Sequence, residues 1–411
     1  MTRPLWRNRS FNLLWGSQTL SDLGASMSAL AIPLLVLALT GSPVQAGAVG
    51  TVLAVTRLVC RLPAGVLADR VDRRRTLLAC DAVRIVGYVF LGVTILTGHV
   101  SLTAVIAVAV LDAACAVLFG TVEHAALASL VGREQLPDAV ARNEARLHGT
   151  ALAGPPLGGL LFGLGRSLPF LADAVSYLLS FVGVLLIRDP MQQPRTQAPR
   201  GHATELAEGI RFALGDRFLR AVLLVAPPLN MGISGVVFAL IVILQRHHVP
   251  PALIGTVETI IAAGGLVGAF AAPALQRRLR MPVLVVSICW AAVGLLALAA
   301  PLSSILAAVP VAAVLLLSPA CNAALFGYQA AITPDRLQGR VVSVIIFAAS
   351  SMASTSPLLA GLLIEHVGGP ATLMVFAALV AVSALTATIS RGIRSMRPLR
   401  PAVPAAEPVA G

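Results

Sequence analysis

Lysine is absent from the chain; all 30 basic residues are arginine. The absence is in keeping with GC-rich coding and carries no mechanism of its own. Charge as a whole is scarce, at 12% of the 411 residues, while 57% are hydrophobic. So little polar surface cannot cover the cores of soluble domains, which excludes a soluble protein of two or three domains. The five cysteines, Cys60, Cys80, Cys115, Cys289 and Cys321, fall in or beside apolar runs at no paired spacing. They indicate neither a disulfide framework nor a metal site. No phosphate-binding loop, nucleophile elbow or metal-binding helix occurs, so neither an ATP-driven pump nor an intramembrane enzyme is supported and no cofactor is expected. The glycine-rich run 263–270 lies inside an apolar stretch rather than after a strand, and His247-His248 has no further ligands beside it.

What is present is hydrophobic length. Mean hydropathy is +0.88, and apolar stretches of about 20 residues recur, each able to cross a bilayer core of about 30 Å. The strands of a β-barrel would alternate apolar and polar residues instead. The fold class is therefore an all-α polytopic membrane protein surrounded by lipid. Twelve spans are expected near 13–39, 44–67, 76–97, 101–123, 140–164, 169–187, 219–244, 252–274, 282–300, 304–326, 339–364 and 370–390. The first is too long for a signal peptide's apolar region and reads as a retained helix.

Arginine sorts by link. Arg7 and Arg9 precede the first span, Arg70, Arg73, Arg74 and Arg75 follow the second, and Arg277, Arg278 and Arg280 follow the eighth. The alternate links carry only Arg166 and Arg246. The positive-inside rule then places both termini in the cytoplasm. The net charge of +12, which in a soluble protein would point to nucleic acid, is topological here, and no nucleic-acid partner is expected. The longest polar stretch, 188–218, lies mid-chain. It divides the chain into an N-terminal six-span unit (1–187), a linker whose second part reads as an amphipathic surface helix, a C-terminal six-span unit (219–390) and a disordered cytoplasmic tail (391–411).

The halves echo each other. Gly50-Thr51-Val52 recurs as Gly255-Thr256-Val257 at an offset of 205, and the run 154–161 resembles 356–363 at an offset of 202. Two matches near half the length predict a duplicated six-plus-six architecture with a midplane site, the geometry of alternating access.

The densest charge cluster, Asp69 to Arg75, ends the second span. Topology explains its arginines but not Asp69 and Asp72, because acidic residues contribute little to orientation. The pattern Gly65-x-Leu67-Ala68-Asp69-Arg70-x-x-Arg73-Arg74 resembles the signature loop of the major facilitator superfamily, and the resemblance covers the whole chain. It implies two pseudo-symmetric six-helix bundles, with Gly65 allowing a close helix approach. It also implies that Asp69 latches onto the start of the eleventh span, near Gln338, Gly339 and Arg340, when the cytoplasmic side is closed. This sequence carries Asp72 where the family usually has glycine. Gly154-Pro155-Pro156-Leu157-Gly158-Gly159 is either a packing surface that tolerates a kink, or, as the resemblance implies, the antiporter motif that seals the cavity. The fourth span lacks the arginine of many drug–proton antiporters. The runs 11–43, 136–145 and 169–178 look most like the macrolide-efflux and enterobactin-exporter branch.

Charges inside spans cost free energy and usually face a cavity or a partner. Asp22, Asp112 and Glu258 are the candidate coupling or substrate carboxylates. Asp22 is either a structural partner for Ser21, Ser26 or a neighbouring helix, or a proton or substrate group; Glu258 lies near the outer end and is either a cavity group or interfacial. Arg57, Arg61, Asp81 and Arg84 either pair between the second and third spans or take part in coupling, and Asp173 is expected to begin the sixth. Glu123, His124, Arg142, Glu144, Arg146 and His148 could extend the charge network around the signature loop. These features together predict a monomeric secondary transporter that exports a hydrophobic small molecule of drug, macrolide or siderophore type in exchange for protons. The alternative is an importer or facilitator of a small metabolite on the same fold. No metal is expected.

Overall fold

The computed structural model describes residues 5–68, 70–192, 202–302 and 304–396. The chain runs through α1 (Arg9–Thr40), α2 (Pro43–Ala68), α3 (Arg73–Leu96), α4 (Leu102–Leu130), α5 (Leu136–Leu164), α6 (Leu168–Leu186) and α7 (His202–Gly215). It continues through α8 (Arg217–Arg246), α9 (Pro251–Arg278), α10 (Met281–Leu302), α11 (Ala308–Ile332), α12 (Gln338–Val367), α13 (Gly369–Ile389) and α14 (Arg391–Arg394). No strand occurs among the described residues. Helices satisfy every backbone group within one segment, as a lipid interior demands.

Local chemistry sets the helix ends. Asn8 accepts from the Phe11 N–H at 3.0 Å at the start of α1, and Gly41 ends that helix in the left-handed conformation at φ 67°. Asp72, Ser101 and Asp216 cap α3, α4 and α8 in the manner of Asn8. Asp72 is thereby accounted for: its carboxylate accepts from the Arg75 N–H at 2.8 Å, so the turn before α3 closes with a capping acid.

Eleven of these helices are long and apolar enough to cross a membrane. α5 is the further long helix. Its first half carries Asp138, Arg142, Glu144, Arg146 and His148 and its second half the Gly-Pro-Pro run, through which the helix continues, and it packs between α1 and α9 as a span would.

Helix packing repeats in two bundles. α1 packs on α5 and α6, α3 on α4 and α6, and α2 on α4; likewise α8 packs on α12 and α13, α10 on α11 and α13, and α9 on α11. The bundles meet through α2 against α12 and α5 against α9, two pairs that the same exchange converts into one another.

These seams correct the register of the echo. Gly47 rests on the backbone of Pro357 and Leu358 as Gly255 rests on that of Pro155 and Pro156. Thr51 Oγ1 accepts from the Leu358 N–H at 3.0 Å, and Thr259 Oγ1 donates to the Leu152 carbonyl at 2.8 Å. Gly47 therefore corresponds to Gly255 and Thr51 to Thr259, both at an offset of 208. The Gly-Thr-Val match at 205 is a turn out of register, while Gly159 and Gly361 keep the offset of 202. A slip of three residues leaves a helix face almost unchanged, which is why the shifted match looked sound.

Candidate functional site

The seams close one end of the molecule. Gly159 lies on the Pro251 carbonyl, Gly361 on the Pro43 carbonyl, and Gln245 Nε2 donates to the Leu34 carbonyl at 2.8 Å. All of these lie at the arginine-poor ends of their helices. The glycine-proline motif of α5 divides its work: Gly154 and Gly158 lie on Ser26 and Met27 of α1, whereas Gly159 and the Pro155 carbonyl face α9. Glycine is required at these approaches because a Cβ would meet neighbouring backbone.

Beyond the seams lies a cavity of about 660 Å³, walled by α1 and α2 on one side and α8, α9, α11 and α12 on the other. It begins at Ala46, Gly50 and Pro357 and widens to Arg57 and Arg61, both exposed, so it opens toward the arginine-rich ends. Its wall is mostly apolar, with Asn230, Ser234, Ser350, Ser354 and Glu258 among the polar exceptions.

The N-terminal bundle holds a buried polar network of its own. Arg146 of α5 bridges Asp22 of α1 at 3.1 Å and Glu123 of α4 at 2.9 Å, its side chain 1% exposed against 28% for Asp22. Arg84 of α3 pairs with Asp112 of α4 at 3.3 Å, and the Tyr177 hydroxyl of α6 donates to Asp112 at 3.1 Å. Arg84 also stacks over the Tyr177 and Phe119 rings. Gln18 donates to Ser180 at 2.9 Å, and Ser180 donates to Asp81 at 2.6 Å. The carboxylates of the fourth span, Asp112 and Glu123, are thus held by arginines of the helices before and after it.

Several expectations change. Arg57 and Arg61 do not pair with Asp81; they line the cavity, while Asp81 and Arg84 bind α6 and α4. Asp173 is fully buried inside α6 beside Ser176 and does not begin the helix. Glu123 and Arg146 join Asp22 instead of the signature loop. Asp69 lies outside the described residues. Nothing approaches Gly65, so the close contact expected there is not made in this conformation. Arg70 is exposed. Arg73 donates to the Ala125 and Met191 carbonyls, each at 2.9 Å, and to Ser129 at 2.8 Å, and Arg74 donates to the Leu185 carbonyl at 2.6 Å.

Two features escaped the sequence. Glu208 of α7 accepts from Arg336 at 2.6 Å and from Arg340 at 2.5 Å, docking the helix after the linker against the start of α12. Cysteines also meet across helices as free thiols: Cys80 of α3 lies beside Cys115 of α4, and Cys321 of α11 beside Cys289 of α10. Their spacing of 35 and 32 residues hides the pairing.

Comparison with known proteins follows the same lines. The family model described as Major Facilitator Superfamily matches residues 14–315. The multidrug efflux pump Tap of Mycobacterium tuberculosis is 28% identical over 93% of each chain. The enterobactin exporter EntS of Citrobacter koseri is 27% identical over 81% of this chain and 80% of its own. Among solved structures, a bacterial homologue of the lysosomal transporter Spinster, inward-facing and occupied, gives a TM-score of 0.70 at 15% identity over 94% of this chain and 97% of that one. The nucleoside transporter NupG gives 0.71 at 13% identity over 92% and 99%.

Proposed function

The chain belongs to the Major Facilitator Superfamily, and from that premise we propose that it exports a hydrophobic small molecule, of drug, macrolide or siderophore type, by alternating access in exchange for protons. The observation that carries this reading is the cavity walled by both bundles and pinched at the arginine-poor ends by glycine seams. Breaking the seams and closing the opposite end would carry a bound molecule across. The efflux pump and exporter to which the chain is similar support the outward direction.

In this reading the protein is a monomer in a bacterial inner membrane, with both termini in the cytoplasm. Its units, 1–187 and 219–390, rock about the seams, and 188–218 connects them. Asp22 and Asp112 are the coupling groups. Protonating Asp22 would remove one of the two anions on Arg146 and leave the cation with Glu123, while Arg84 holds Asp112 in the corresponding way. Asp69 acts on the far side of the cycle, reaching for the start of α12 when the cytoplasmic ends meet.

Energised uptake of a fluorescent drug into inverted vesicles, compared with right-side-out vesicles, tests direction and separates export from import. Asp22→Asn and Asp112→Asn are each expected to lower proton-driven uptake at least tenfold. Full uptake and proton exchange in both variants would remove these carboxylates from coupling.

A further inference from the structure

Among the charges inside the spans, Arg84, Arg146, Asp22, Asp112 and Glu123 are ion-paired in the N-terminal bundle, and Asp81 and Asp173 accept there from the hydroxyls of Ser180 and Ser176. Arg57, Arg61 and Glu258 form no ion pair among the described residues, and all three line the central cavity. For Glu258, which is not exposed, an unpaired charge is costly unless a cavity or a ligand receives it.

The three charges are ordered along the cavity. Arg57 and Arg61 are four residues apart, so they share one face of α2. Pro43 and Pro251 begin α2 and α9 at corresponding points of the seams. Arg57 stands fourteen residues past Pro43 and Glu258 seven past Pro251, a difference in depth of about 10 Å at the rise of an α-helix. Glu258 therefore lies toward the closed end and the arginines toward the mouth. Apolar groups such as Ile32, Leu53, Val237 and Phe238 line the wall around them.

We propose that this cavity selects amphiphiles with an acidic group at one end and a basic nitrogen at the other. Arg57 and Arg61 hold the acid, and Glu258 holds the base. Two guanidinium forks on one helix face suit a carboxylate, sulfonate or phosphate, which they bind through parallel charge-assisted hydrogen bonds. A carboxylate in an apolar wall is the complement of a protonated amine. The cavity volume suits a drug-sized molecule. The proposal rests on the transport reading for its direction of movement and on the cavity alone for its selectivity.

Three xanthene dyes of similar size separate the charges: rhodamine 110 carries a carboxylate and an N–H-bearing cation, its methyl ester rhodamine 123 only the cation, and fluorescein only anions. Binding to the purified full-length protein in neutral detergent is read by fluorescence anisotropy, with protein-free micelles subtracted. Rhodamine 110 is expected to bind about tenfold tighter than either relative. Arg57→Gln with Arg61→Gln should abolish the preference over the ester while the ester still binds, which also reports a folded cavity. Glu258→Gln should abolish the preference over fluorescein. Equal binding of the three dyes to the unaltered protein, or unchanged preferences in the variants, would overturn the proposal. If a variant is not recovered folded, the ranking on the unaltered protein decides. Discrimination without vesicle flux would remove the transport reading and keep this one; flux with a flat ranking would do the reverse.

Discussion

Arg146 is the cation on which two carboxylates of the N-terminal bundle, Asp22 and Glu123, depend. One guanidinium, 1% exposed, serves carboxylates from two other helices, so removing it leaves two anions in a site built around a cation. Breaking a buried pair typically costs about 3–5 kcal/mol. Arg146→Gln is expected to lower the thermal unfolding midpoint in detergent by several degrees or more, and adding Glu123→Gln should restore part of the loss. A double variant no more stable than the single would show that the two groups do not act together. Asp22 and Asp112 were legible as candidates because a carboxylate in an apolar run is conspicuous. Their partners were not, because Arg84 and Arg146 come from other helices and only packing decides which face meets which.

At the scale of elements, the seams and α7 make separate predictions. A side chain at Gly159 meets the Pro251 backbone, which cannot give way as a flexible side chain could. Gly159→Val should therefore pry α5 from α9. Labelling of a cysteine placed at Ala46 by a membrane-impermeant maleimide from the arginine-poor side should rise severalfold. Unchanged labelling would mean that the seam does not seal. α7 is held to α12 by Glu208 acting on Arg336 and Arg340, so Glu208→Gln should speed amide hydrogen exchange across 207–215. Exposed ion pairs contribute little singly, and the expected change is a local one of several-fold with no shift in the global unfolding midpoint. A short helix after the linker was legible from its amphipathic pattern; its docking site was not, because the contact joins residues more than 120 apart.

For the whole molecule, the decisive distinction is between links within a bundle and links across the seam. Thr51→Cys with Leu358→Cys joins α2 to α12 where the Thr51 hydroxyl already meets the Leu358 N–H. In a background with the native cysteines replaced by serine, oxidation should stop transport and reductant should restore it. Crosslinking the native pair Cys80 and Cys115, which ties α3 to α4 inside one bundle, should leave most transport intact. Equal inhibition by both links would rule out rigid rocking of two bundles.

The amino-acid sequence by itself determined that the chain is a helical membrane bundle, since 12% charge and recurrent 20-residue apolar runs admit no other solvent. It also placed the two-fold repetition, the signature run from Gly65 to Arg74 and the glycine-proline motif at 154–159. These are local patterns, and period and composition record them. The tertiary structure decided the register of the repeat, the sharing of Arg146 between Asp22 and Glu123, and the assignment of Arg57, Arg61 and Glu258 to one cavity. Each of these depends on which faces of distant helices meet. Helices rich in Ala, Leu and Gly offer several nearly equivalent faces, and close packing selects one among them.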